Sequence, residues 1–170
     1  MTTKETSMPL IGIIAKTRDV QAIKKELKEN DSKIIKITKD TIRNVKNVGF
    51  EEIIILEDIN LGEEEYRYMK EIISKAKYLL LNGDIDITAL EEINIEKPIK
   101  IITFGFNTKA TITISSVKEE KIIVCLQRYI EKINGEIIDT QEKEIKISKE
   151  NNKKIYNKLA IFIVKELHNL

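Results

Sequence analysis

Short apolar runs separated by longer amphipathic stretches set the pattern of the N-terminal part of the chain. Leu10-Ile11-Gly12-Ile13-Ile14 has no polar alternation and predicts a short buried strand. Val20, Ile23 and Leu27 then recur at helical spacing, which predicts a helix from Asp19 to Glu29, ended by Asn30-Asp31. Lys33 to Ile37 predicts a second strand, and Thr38 to Val48 a short or irregular helix. Ile53-Ile54-Ile55-Leu56 is apolar at every position, as in a strand covered on both faces. Between Glu63 and Lys77, the residues Tyr66, Met69, Ile73 and Ala76 share one helical face. The acids Glu63, Glu64 and Glu65 suit the positive end of that helix's dipole. Tyr78 to Leu81 and Ile99 to Phe104 predict two more strands, with one or two helical turns over Thr88 to Ile93 between them. Strands alternating with helices imply a parallel sheet with right-handed crossovers.

The pattern changes after Phe104. Ala110 to Val117 alternates and is rich in Thr and Ser, Lys118 to Lys121 is a polar turn, and Ile122 to Tyr129 is again strand-like. Asn134-Gly135 marks a turn, and Glu136 to Ser148 alternates once more. A helix from Asn151 to His168 follows, with Tyr156, Leu159, Ile163 and Leu167 on one face and Ile155 and Phe162 widening it. The expected architecture is α/β: a mostly parallel, Rossmann-like sheet flanked by helices, a small antiparallel β extension and a C-terminal helix. Residues 9–170 are expected to form one domain, preceded by a disordered polar segment over residues 1–8.

Composition narrows the function classes. The 170 residues carry 29 Lys+Arg against 28 Asp+Glu, so no global field draws the chain to nucleic acid or to an acidic membrane. The longest apolar runs are far too short to span a bilayer, and no apolar N-terminal stretch follows a basic one. The cytoplasm is therefore the expected location. The lone Cys125, between Val124 and Leu126, reads as a buried inert thiol. No Cys/His cluster suggests zinc.

Several local patterns, in order along the chain, resemble the central domain of the Mur ligases and their folylpolyglutamate synthase relatives. Ile11-Gly12-Ile13-Ile14 resembles the strand leading into their phosphate loop. Tyr66-Arg67-Tyr68-Met69-Lys70 resembles the helix that carries their modified, metal-binding lysine. Leu79-Leu80-Leu81-Asn82-Gly83-Asp84 resembles their strand ending in an Asn-x-Asp-Asp turn, and Ile102-Thr103-Phe104-Gly105-Phe106 their strand and Gly turn before antiparallel strands. Lys153-Lys154-Ile155-Tyr156-Asn157-Lys158-Leu159-Ala160 resembles the start of their His-Asn-x-x-Asn-x-x-Ala helix. Matched this way, Lys16, Thr17, Asn82, Asp84 and Asn157 are relic candidates for nucleotide contacts, and Lys70 for a metal-bridging role.

The departures bear on activity. The family's phosphate loop is Gly-rich and ends in Gly-Lys-Thr/Ser, so that backbone amides and the lysine neutralise phosphate and the hydroxyl holds magnesium. Here the strand runs into Ala15-Lys16-Thr17-Arg18, which keeps the Lys-Thr pair and lacks the glycines. Asp58-Ile59-Asn60 replaces an expected Asp-His pair, Lys153-Lys154 replaces a His-Asn pair, and the family's N-terminal and C-terminal domains have no counterpart in these residues.

Each candidate has a plainer reading. Lys16 can be solvated with Thr17 capping the next helix, and Lys70 can be a surface lysine on a helix flank. Asn82, Asp84 and Asp86 lie past a strand end, where open α/β sheets bind ligands, and they are also ordinary turn formers. Asn157 in a first helical turn is commonly structural. His168 has no partner visible in the sequence. Three function classes remain open: a non-catalytic Mur-ligase-like binding or scaffolding domain tied to cell-wall or sporulation processes, a residual nucleotide binder or small ATP-dependent ligase-like enzyme, or one part of a split ligase. A protein partner fits the first. No cofactor is expected, with ATP and Mg bound only where the relic site still functions.

Overall fold

A computed structural model of the chain describes residues 9–27, 33–91, 93, 97–148 and 154–170. The expectations for a disordered segment over residues 1–8 and for a helix stop at Asn30-Asp31 fall outside the described residues, as do residues 149–153. The elements in chain order begin with β1 (Ile11–Ile14), α1 (Thr17–Glu26), β2 (Ile34–Lys36), α2 (Ile42–Val45) and β3 (Glu52–Ile55). They continue with α3 (Glu63–Lys75), β4 (Tyr78–Asn82), α4 (Thr88–Glu91), β5 (Lys100–Gly105) and β6 (Ile112–Val117). β7 (Lys121–Leu126), β8 (Ile130–Glu131), β9 (Ile137–Ile138), β10 (Gln141–Lys146) and α5 (Ile155–His168) complete the set.

Eight strands form one sheet in the order β10-β7-β6-β5-β4-β3-β1-β2. All pairings from β2 across to β6 are parallel, and β6-β7 and β7-β10 are antiparallel. This is the α/β class read from the pattern. The antiparallel part is continuous with the main sheet, because β5 and β6 pair in parallel through Phe104↔Ile112 and Gly105↔Thr113.

The stretch from Glu136 to Ser148, expected as one strand, is broken. β9 pairs with β8 in a separate hairpin, while β10 pairs with β7. The chain changes partner between them, so the ladder cannot be continuous. The hairpin turns at Asn134-Gly135, where Gly135 has φ 88 and Asn134 Oδ1 accepts the Glu136 N–H at 3.0 Å.

Alternation along the strands divides the core into two layers. Ile11, Ile13, Ile54, Leu80, Ile102 and Phe104 meet α1 and α5 on one face. Ile53, Ile55, Leu79 and Leu81 meet α2 and α3 on the other. β3 is apolar at three successive positions because both layers claim it. The second layer includes no residue of β6, β7 or β10. The strand positions that face away from α5 there are partly open, and on the neighbouring β5 Ile101 is 50% exposed. Cys125 belongs to this set: it is half-buried, not buried as the apolar neighbours suggested, because alternation turns Val124 and Leu126 inward and Cys125 outward. Among the described residues no helix is long and apolar enough to cross a membrane.

Candidate functional site

In a sheet of this order the chain leaves β1 for β2 on one side and returns to β3 on the other. The loops at the C-terminal tips of β1 and β3 therefore diverge, and a crevice opens between them. The relic candidates cluster around this edge, and the structure accounts for most of their polar groups internally.

Asn82 ends β4, is buried, and donates from Nδ2 to the Leu56 carbonyl beyond β3 at 3.2 Å. Its Oδ1 accepts the Asp84 N–H at 3.0 Å, which folds the turn back on itself. Asp84 is the hub of the edge. Its carboxylate accepts the backbone N–H of Phe106 at 2.7 Å and of Asn107 at 2.8 Å, and the Tyr156 hydroxyl of α5 at 2.8 Å. Gly105 makes this possible: it sits at φ 145, and an added Cβ would collide with the Asp84 carboxylate. Asp86 Oδ1 accepts both the N–H and the hydroxyl of Thr88, at 3.0 and 2.7 Å, at the start of α4. The Asp86 N–H in turn donates to Asp58 Oδ1 at 2.9 Å. These residues behave as turn formers and cross-braces between strand tips.

Burial, followed by the hydrogen bond to Asp84, pushes the Tyr156 phenol up to about 12. Replacing Asp84 with Ala removes the second cause and leaves the first. Tyr156 is therefore expected to titrate at lower pH in Asp84→Ala, though still above the ordinary tyrosine value, as read by ultraviolet absorbance of the phenolate. An unchanged titration would show that Asp84 does not hold the hydroxyl.

β1 ends at Ile14 and α1 starts at Thr17, so Ala15 and Lys16 alone connect them. Lys16 is the N-cap residue, and among the described residues no side-chain cap hydrogen bond is made there, which corrects the expectation that Thr17 caps the helix. Thr17 is instead the first helical residue, and its Oγ1 accepts from Lys36 Nζ at 2.7 Å. Asn157 is buried in α5 and donates to Asp19 Oδ1 of α1 at 2.9 Å, and Lys158 pairs with Glu26 at 2.6 Å. These contacts make Asn157 a tie between the two helices on one face of the sheet. Lys70 lies half-buried on α3. Among the described residues no group of three or more His, Cys, Asp or Glu is arranged to hold a metal ion. The residues present do not fit a nucleotide-phosphate cradle, since two connecting residues cannot present several inward amides.

The crevice itself is a half-open cavity of about 190 Å³ at the tips of β1, β2 and β3. Ile14, Ile37, Ile42 and Met69 give it an apolar lining. Lys36 and Lys39 border it from the end of β2, and Glu57 and Asp58 from the segment after β3. Of these four charges only Asp58 stood out in the sequence, as part of Asp58-Ile59-Asn60, because nothing local marks residues that meet only through the strand order.

At the opposite end of the sheet lies a pair that the sequence reading did not find. Glu52, the first residue of β3, is 0% exposed, and its Oε1 hydrogen-bonds to His168 Nε2 at the end of α5. The other carboxylate oxygen, Oε2, is buried with no hydrogen-bond partner among the described residues. His168 thus has a partner, contrary to the expectation from sequence. Burial pushes the Glu52 carboxyl above its usual range, and the His168 hydrogen bond and charge act in the opposite direction. A carboxylate opening the run Ile53-Ile54-Ile55 was the available signal: a buried acid requires a partner.

No protein-family model matches the chain, and no curated protein matches it.

Proposed function

We propose that the chain is a non-catalytic binding or scaffolding domain of Mur-ligase-like architecture, linked through that resemblance to cell-wall or sporulation processes and working with a protein partner. The observation that carries the non-catalytic part is the two-residue connection between Ile14 and Thr17. A phosphate loop works by wrapping successive backbone N–H groups around the anion, with glycines permitting the turn. Ala15 and Lys16 supply neither the length nor the glycines. The candidate residues on neighbouring strand tips support the same reading, because Asn82, Asp84 and Asn157 spend their polar atoms on other parts of the fold.

One observation favours a second reading, residual anion or nucleotide binding. α1 has no side-chain cap, while Lys36 reaches Thr17 at its first turn. Calorimetric titration with ATP and magnesium separates the two. The expected result is no saturable heat at sub-millimolar nucleotide. Micromolar binding that disappears in Lys16→Ala would establish the second reading and overturn the first.

A further inference from the structure

We propose that the crevice at the tips of β1, β2 and β3 binds a small zwitterionic solute with a short aliphatic body, of the class of the branched aliphatic α-amino acids. The inference rests on the binding part of the function proposed above and names the ligand class that part lacks.

Position is the first argument. The order β2-β1-β3 puts the crevice at the point where the chain reverses its direction of travel across the sheet. There the backbone geometry holds two loops apart, and no side chain has to be sacrificed to open a cavity.

Charge is the second argument. The two walls have opposite sign, with Lys36 and Lys39 on the β2 side and Glu57 and Asp58 on the β3 side. Charges of opposite sign around one cavity would ordinarily pair across it. Here Lys36 is turned to Thr17 at 2.7 Å and Asp58 to the Asp86 N–H at 2.9 Å. Lys39 and Glu57 have neither a hydrogen bond nor an ion pair among the described residues. A ligand with a single charge would match one wall and face an unmatched charge on the other. A molecule carrying both an ammonium and a carboxylate matches both.

Size and lining supply the third argument. The cavity is small, about 190 Å³. That is below the range of ~300–1,000 Å³ typical for drug-sized ligands. The half-buried Ile59 and Leu61, backed by the buried Ile14, Ile37, Ile42 and Met69, offer a hydrocarbon body an apolar surface that a purely polar solute would not use. In an α-amino acid both charges sit on one carbon, so they can meet the rim while the side chain faces this lining.

The probe is L-leucine, added to ¹⁵N-labelled protein and followed by backbone amide shifts. Two analogues share its body: 3-methylbutylamine, which lacks the carboxylate, and 4-methylpentanoate, which lacks the ammonium. Leucine is expected to shift Ala15, Thr38 and Ile59 saturably, with each analogue weaker by about tenfold or more. Glu57→Gln is expected to weaken leucine and the amine while strengthening 4-methylpentanoate, which no longer faces a like charge. Lys39→Gln is expected to do the reverse for the two analogues, and each variant's own spectrum reports whether it is folded. Absence of saturable leucine shifts, or equal affinity for an analogue, overturns the proposal. The same samples are titrated with ATP and magnesium. Silence toward both leucine and nucleotide removes the ligand class and leaves the non-catalytic reading standing. Saturable nucleotide binding removes that reading whatever leucine does.

Discussion

Leu159→Ala and Ile163→Ala are each expected to lower the unfolding free energy by ~2–5 kcal/mol, the range for emptying a packed aliphatic site. Leu159 is 0% exposed and Ile163 1%, and both belong to the layer that joins α5 to α1 and to the strands from β1 to β7. α5 contacts both α1 and β5, so the groups around either side chain are themselves packed and relax only in part when it is truncated. A domain's total stability of ~5–15 kcal/mol makes either loss a large fraction of the whole. The exposed Lys154 at the start of the same helix serves as the control. Its replacement by Ala should change stability by less than ~0.5 kcal/mol. Urea unfolding compares the three. An unchanged midpoint in both core variants would mean that α5 is not docked on the sheet.

His168→Ala is expected to cost ~1–3 kcal/mol near neutral pH, the usual loss when a buried polar group is left without its hydrogen-bond partner. Glu52 is then left with both oxygens buried and unpartnered, since Oε2 has no partner to begin with. The cost should depend on pH. Burial raises the Glu52 carboxyl in the folded protein above its ordinary value of 4.5. A group raised in the folded state contributes its stability fully below the unfolded value and loses it as pH rises toward the folded value. Glu52 therefore destabilises the fold progressively above pH 4.5. Because His168 is what holds that rise in check, its removal should steepen the decline and spare the protein in acid. Glu52→Gln should flatten it, gaining on the parent as pH rises. The titratable groups that also face this pair are Glu51, beside Glu52, and the Tyr78 phenol, raised chiefly by burial and so neutral over this pH range. Denaturant unfolding of the parent, His168→Ala and Glu52→Gln between about pH 4 and 7 checks the sign. If the His168→Ala loss does not shrink in acid, Glu52 is not the group responsible.

Elements with strong periodicity were legible in the residues alone. β3, with three successive isoleucines, could hardly be anything but a strand covered on both sides, and α5 carries a wide apolar face over its whole length. β8 and β9 were not legible, because two residues each leave no period to detect, and their pairing is fixed by the turn at Gly135. The roles of Asn82 and Asp84 were legible as a choice between turn and ligand. The choice needed distances, since Asp84 meets Phe106 and Tyr156 across separations of 22 and 72 residues. Glu52 and His168 are 116 residues apart, and no local pattern links them. The crevice charges are of the same kind: Lys39 and Glu57 become neighbours of one cavity through strand order, which composition does not encode.

The docking of α5 also bears on how the chain is made. β1, β3, β4 and β5 all turn an apolar row toward α1 and α5, and α5 is translated after every one of them. At synthesis rates of ~5–20 residues per second, several seconds separate the emergence of β4 from that of α5. During that interval the isoleucine-rich rows of the sheet have α1 as cover and wait for the rest. A ribosome stalled before residue 155 would thus present an adhesive, half-roofed sheet, the kind of surface that chaperones bind and that aggregates when they do not.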